Sequence, residues 1–378
     1  TFNTQNFSAS PDAVREFQVQ TGSYSADLGG AGGGQINIIT KAGTSEFHGA
    51  AYNYLRNSAL DARTWNEMPG TTFLVQNNYG GALGGPVYGK KTFFFANFEG
   101  RRRRQAQTSI GTVPTEQEAA GDFSESGRII YDPATTRTNP NFNPALPANT
   151  SNPQTLRSPF ANNIIPSDRM NSSAFKMLRG YVARPNMENG MMNGMTMMGS
   201  PTVFGSAGVD SNNLLNVIDA RMVSDQGTVR VDRIFDSGDS LNVRYSASGE
   251  RGFTPQGLPG YGFNHDNLGQ NGAVIWTHIF SPNVVNMASA GVSRLSMFHS
   301  TENNGVHDIA GALGVTGVNF GGQDAWGAPF FNVQGYTPLG DAWLATPMKT
   351  WDTILEGRDT LSWHKGSHSV RFGGSFRR

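Results

Sequence analysis

The chain has 378 residues, with 29 basic and 29 acidic side chains, no cysteine, and only 37% apolar and 15% charged residues. That balance excludes a nucleic-acid binder working through bulk positive charge, and the lack of cysteine excludes disulfide scaffolds and thiolate metal sites. With 47 Gly and 19 Pro among abundant neutral polar residues, the composition leans to all-β, because it suits neither a helical bundle nor a charged disordered chain.

No run approaches the roughly 18 to 20 apolar residues of a membrane helix. The start, Thr1-Phe2-Asn3-Thr4, has no Met and no basic-then-apolar leader. Thr1 and Arg378 therefore read as positions inside a longer frame.

In chain order, AVREFQVQT (13–21) and QINIITK (35–41) alternate at period two and predict strands. The glycine tract 29–34 separates them. Nine longer strands are predicted over 46–56, 74–88, 91–104, 227–236, 239–251, 270–281, 283–299, 350–364 and 367–378. Tight turns at 89–91, 236–239, 281–283 and 364–367 carry Gly, Pro, Asn or Asp. The other connections, 57–73, 105–226, 252–269 and 300–349, are much longer.

An antiparallel meander places successive turns at opposite ends, so this alternation makes a two-sided structure. Outer-membrane β-barrels have short periplasmic turns and long extracellular loops, and their strands need about 9 to 11 residues to cross lipid. Within 239–248, Leu241, Val243, Tyr245 and Ala247 alternate with Asn242, Arg244, Ser246 and Ser248. One face suits lipid and the other a polar lumen. Tyr52, Tyr54, Phe93 to Phe95, Trp276, Phe280, Trp351 and Trp363 lie near strand ends, as in an interfacial girdle. A soluble sandwich would also use such alternation, although its loops vary at both ends.

The stretch LGGAGGGQINIITKAGTSEFHGAAYNY (28–54), NYGGALGGPV (78–87), KTFFFANFEG (91–100) and FANNIIP (160–166) resemble the plug-to-barrel junction of TonB-dependent outer-membrane receptors, the Oar-like group in particular. The resemblance implies a barrel of about 22 strands closed by an N-terminal plug, importing a scarce ligand with energy delivered by TonB. The chain is then a fragment: 1–43 is the C-terminal part of the plug and 44–378 the N-terminal part of an antiparallel transmembrane β-barrel, incomplete at about nine strands. Implied partners are outer-membrane lipid and lipopolysaccharide, TonB through a segment outside this chain, and an unidentified small ligand, sugar or peptide. The location is the outer membrane of a Gram-negative-type cell. With two strand edges carrying unpaired amides and carbonyls, the isolated chain is expected to aggregate unless refolded with further strands.

Several motifs offer other chemistry. Gly84 to Lys91 nearly spells a phosphate loop, but Lys91 replaces the hydroxyl residue and a strand follows, so the context fails and a tight turn is expected. Gly32 and Gly33 read either as a flexible turn or as a plug hinge. Arg101, Arg102, Arg103 and Arg104 form either a solvated rim or a contact to lipopolysaccharide phosphates. The methionines between Met187 and Met198 suit either pliable packing or Cu(I). The seven histidines show no zinc spacing. Trp65, Asn66, Trp326, Phe330, Phe331, Tyr336 and Trp343 are loop candidates for ligand contact, or for packing among the loops. No catalytic constellation, metal site or cofactor is predicted. The expected function is ligand import without chemistry; the competing one is surface adhesion or partner binding without transport, and no nucleic acid partner is expected.

Overall fold

Long runs alternating at period two, joined by turn-forming residues, pair most simply with the next run in sequence. The computed structural model describes residues 10–20, 35–62, 73–187, 191–192, 195–196, 212–341 and 346–378. In chain order its strands are β1 (Val14–Gln20), β2 (Gln35–Thr40), β3 (His48–Asn57), β4 (Leu74–Tyr88), β5 (Thr92–Gly111), β6 (Tyr131–Thr138), β7 (Thr155–Pro159), β8 (Met191–Met192), β9 (Met195–Thr196), β10 (Leu214–Ile234), β11 (Ser240–Thr254), β12 (Phe263–Ser281), β13 (Val284–Thr301), β14 (Met348–Lys365) and β15 (His368–Arg377). Three short helices, α1 (Glu116–Ala119), α2 (Ser172–Gly180) and α3 (Ile309–Leu313), lie in the long connections.

All nine predicted long strands occur and form one antiparallel sheet in the order β15-β14-β13-β12-β11-β10-β5-β4-β3. β1 and β2 form a separate antiparallel pair. The Gly84 to Lys91 motif resolves into the end of β4, through Tyr88, and the tight turn 89–91 to β5, where Gly89 takes a φ of 59° that favours glycine.

The strands run further than predicted at the long-loop end. β5 has 20 residues and β10 has 21, and they pair from Thr92↔Arg233 to Gly111↔Leu214. Residues 105–111 and 214–226, read as loop, are therefore strand, and the 252–269 connection shrinks to 255–262. The reason is that hydropathy alternates only where one face meets lipid. Beyond that level the ladder is held by backbone bonds and by ion pairs such as Arg104–Asp219 at 2.6 Å, which leave no period-two hydrophobic signal.

One face of the sheet is apolar. Leu83, Phe98, Val229, Val231, Val243, Tyr245, Val274, Val292, Leu355, Phe372 and Phe376 are all exposed, and the register puts them all on the same side. Trp351 and Trp363 share that face of β14. They stand roughly 40 Å apart along the strand at about 3.3 Å per residue, which a tilt of about 45° reduces to about 28 Å, close to the hydrocarbon thickness. The girdle is narrower than the sequence suggested: Tyr52, Tyr54, Phe93 and Phe95 project from the opposite face. Strand ends attract aromatics on both faces, and only the register separates them.

Candidate functional site

The inner face of the sheet is the one against which the β1–β2 pair lies. Glu99 on β5 is 7% exposed and gathers donors from three other segments. Ser10 Oγ donates to its Oε2 at 2.9 Å, Tyr52 Oη to the same oxygen at 2.8 Å, and Gln226 Nε2 to Oε1 at 3.1 Å. Tyr52 on β3 must cross β4 to reach it, and it does so over Gly80. A Cβ at Gly80 would lie 2.6 Å from the Tyr52 hydroxyl oxygen.

Two rungs nearer the short-turn end, Arg230 on β10 donates through Nη1 to the Thr40 carbonyl at 2.9 Å. Its Nε and Nη2 form a two-pronged pair with Asp232, both at 2.8 Å, and Asn242 donates to Asp232 at 2.7 Å. The chain leaving β2 then grazes the sheet at Gly43. A Cβ there would fall 2.2 Å from the Phe94 carbonyl oxygen, so only glycine fits. Between this linker and the wall lies a cavity of about 540 Å³, whose lining includes Arg15, Lys41, His48, Ala82 and Phe95 and, among the described residues, no acidic one.

At the other end, three connections form a common core. Val113 and Met177 from the first, with Leu214 at the start of β10, Leu258 and Tyr261 from the second, and Ile309, Leu313, Ala328 and Leu339 from the third pack together. Polar bonds staple the same three segments: Tyr261 Oη donates to the Tyr181 carbonyl at 2.6 Å, and Asn303 Nδ2 donates to Gly260 O at 2.8 Å. Asp341 accepts from Ala328 N at 2.6 Å. Burial raises the Asp341 carboxyl above its ordinary range and pushes the Tyr261 hydroxyl well above its own. α1 begins with a reciprocal capping box between Thr115 and Glu118, and Tyr336 Oη donates to Glu118 Oε1 at 2.8 Å.

The predicted site residues separate accordingly. Tyr336 is half-buried in this cap with Arg128 5.1 Å from its ring centre, and Trp326 is half-buried with its carbonyl accepting from Gly305 N. Trp65, Asn66, Trp343, Gly32 and Gly33 lie outside the described residues. The four arginines do not form one patch, because alternation sends Arg101 and Arg103 inward and Arg102 and Arg104 outward. Arg102 pairs with Asp225 at 2.8 Å and Arg104 with Asp219 at 2.6 Å. Among the described residues no group of three or more His, Asp or Glu side chains is arranged to hold a metal. Glu99, Tyr52, Arg230 and Gly43 were missed. Glu99 did carry a signal, as the acid in the aromatic stretch FFFANFEG, but its partners come from distant segments.

A profile of the outer membrane beta barrel domain matches residues 39–378. Over 92 residues the chain is 34% identical to the TonB-dependent transporter Oar of Myxococcus xanthus, covering 22% of this chain and 9% of that protein. The chain thus matches less than a tenth of that relative's length. Among solved structures it is similar to the ferric-catecholate import receptor Fiu of E. coli K12 in its open form, at 12% identity and a TM-score of 0.31, covering 96% of this chain and 60% of that one. The resemblance to TonB-dependent receptors of the Oar-like group, read from 28–54 and the stretches after it, is thereby supported. With the domain profile spanning most of its length and an apolar belt on one face of its sheet, the chain belongs to the outer membrane beta barrel domain family and resides in the outer membrane of a Gram-negative-type cell.

Proposed function

We propose that this chain is the plug end, residues 1–43, and the first wall strands, residues 44–378, of a TonB-dependent receptor that binds a scarce ligand outside the cell and imports it. The observation that carries this reading is the pair of inner-face attachments, Ser10 to Glu99 and Thr40 to Arg230. A segment that must be remodelled for passage needs polar, breakable bonds to the wall, and these are hydrogen bonds on the inner face of the sheet. Transport requires no bond-making on the ligand, so no residue is assigned a catalytic role. On this reading we propose Gly32 and Gly33 as the plug hinge, and Trp65, Asn66, Trp326, Tyr336 and Trp343 as contacts for ligand.

Energy coupling is tested without knowing the ligand. The chain has no native cysteine, and Ser10 is 2% exposed. In cells grown on complex medium, a Ser10→Cys receptor should react with a periplasmic maleimide several-fold faster when TonB is present than when it is deleted. Equal rates would remove the transport reading and favour surface binding.

The lipopolysaccharide contact narrows to Arg102 and Arg104, whose face continues the lipid-facing one. Replacing both with Gln should weaken binding to immobilised lipopolysaccharide by about tenfold, whereas Arg101→Gln with Arg103→Gln should change it less than twofold. The reverse order would show that the outward pair is only a solvated rim.

A further inference from the structure

The arginines of the wall divide by face. Outward, Arg102, Arg104, Arg221 and Arg251 each hold an aspartate: Asp225, Asp219, Asp219 again, and Asp266, at 2.6 to 3.0 Å. Inward, the guanidinium Nε atoms of Arg101, Arg103 and Arg244 are shielded from solvent and donate to nothing among the described residues. Desolvated donors of a charged group are costly when unanswered, and here three occur on the inner face of β5 and β11, the two strands that flank β10.

Among the described residues, the acids of that face accept no hydrogen bond from these Nε atoms. Glu99 already accepts from Ser10, Tyr52 and Gln226, and the closest approach of Arg101 to it is 3.9 Å. Asp232 is engaged by Arg230 and Asn242, and Glu250 by His265 at 3.3 Å. Arg244 has one side-chain partner among the described residues, the neutral Asn271 Oδ1 at 2.9 Å. It also stands directly opposite Arg230 in the β10–β11 register. Like charges facing across a strand pair destabilise it, and the Asp232 carboxylate is bonded to Arg230 while Arg244, among the described residues, holds only the neutral Asn271.

Beyond Arg230 the wall continues into the cavity lined by Arg15, Lys41 and His48. Arg230 connects the two regions, because it donates to Thr40, the neighbour of Lys41. Arg101 and Arg103 sit roughly 20 Å nearer the loop end, six or more residues along the strand at about 3.3 Å each. The cations therefore run down one wall from below the loop cap to the short-turn end.

We propose that the inner wall of β5, β10 and β11 is an oxyanion track, and that the ligand carried along it bears carboxylate or phosphate groups. Arg101 and Arg103 receive the anion, Arg244 holds it beside Arg230, and Lys41 and Arg15 draw it toward the cavity. A guanidinium binds such a group two-pronged as a planar fork. This inference rests on the import reading but concerns binding alone.

The test uses the intact outer-membrane protein that carries this wall, purified in detergent without TonB, and isothermal titration with tricarballylate and with inorganic pyrophosphate at constant ionic strength. Saturable binding of at least one probe is expected, and Arg244→Gln should weaken it about tenfold while the outward Arg251→Gln leaves it within twofold. Binding by tricarballylate alone assigns a carboxylate ligand, and by pyrophosphate alone a phosphate ligand. Failure of both probes to bind the parent, or parent-like binding by both Arg244→Gln and Arg101→Gln, overturns the track. If Arg244→Gln does not fold, Arg244→Lys and Arg101→Gln carry the comparison, with Arg244→Lys expected to retain part of the affinity. Because TonB is absent, a negative result leaves the import reading standing, and equal cysteine labelling with and without TonB would leave the track standing.

Discussion

Gly43→Ala should loosen the N-terminal segment from the wall at a cost of about 3 kcal/mol or more. The added carbon would sit 2.2 Å from Phe94 O and 2.8 Å from both Phe94 C and N. Those are backbone atoms of a strand hydrogen-bonded on both sides, so neither rotamer change nor side-chain motion relieves the overlap, and overpacking into a rigid neighbour costs about 1 to 3 kcal/mol even where some adjustment is possible. The linker must lift, and Thr40, three residues earlier, must leave Arg230. Urea unfolding of the intact protein, followed on gels by its heat-modifiable mobility, measures the loss. Gly249→Ala is the control, since its nearest neighbours would be 4.0 Å away, and it should stay within about 0.5 kcal/mol of the parent. If both variants unfold alike, the close approach at Gly43 is not what seats the linker.

Glu99→Ala should cost a similar amount by a different route. The substitution leaves the Ser10 and Tyr52 hydroxyls and the Gln226 amide without their acceptor, and Ser10 and Gln226 are 2% and 8% exposed. Each stranded donor costs about 1 to 3 kcal/mol, with partial relief from water in the lumen, so a total near 3 kcal/mol is expected. Glu99→Gln keeps one accepting oxygen and should lose about half as much. A double-mutant cycle of Glu99→Ala with Ser10→Ala isolates the bond between the N-terminal segment and the wall, and a coupling of about 1 kcal/mol or more is expected. Additive effects would mean that Ser10 and Glu99 are neighbours without a shared bond.

The two predictions differ in what a reader of the sequence could have anticipated. Gly43 stands in KAGTSEFHG, a stretch that carried the family resemblance, yet nothing local distinguishes it from the turn glycines around it. Its necessity comes from the Phe94 backbone, which arrives from fifty residues away. The same holds for Gly80, which is bare because Tyr52 passes over it from one strand to the next but one.

The sequence by itself determined the nine strands, their short-turn and long-loop ends, and which residues of each strand share a face. These depend on period-two alternation and on turn chemistry, both of which act between neighbours in the chain. It also contained the division of Arg101 to Arg104 into inward and outward pairs, since alternation forces it, although a run of four identical charges invites reading as one patch. Only the tertiary structure decided the length of β5 and β10 beyond the lipid, the gathering of three connections into one cap, and the convergence of Ser10, Tyr52 and Gln226 on Glu99. Each of these rests on contacts between residues tens to hundreds of positions apart, where cross-strand ion pairs and buried polar bonds replace hydropathy as the ordering force and leave no periodic trace in the chain.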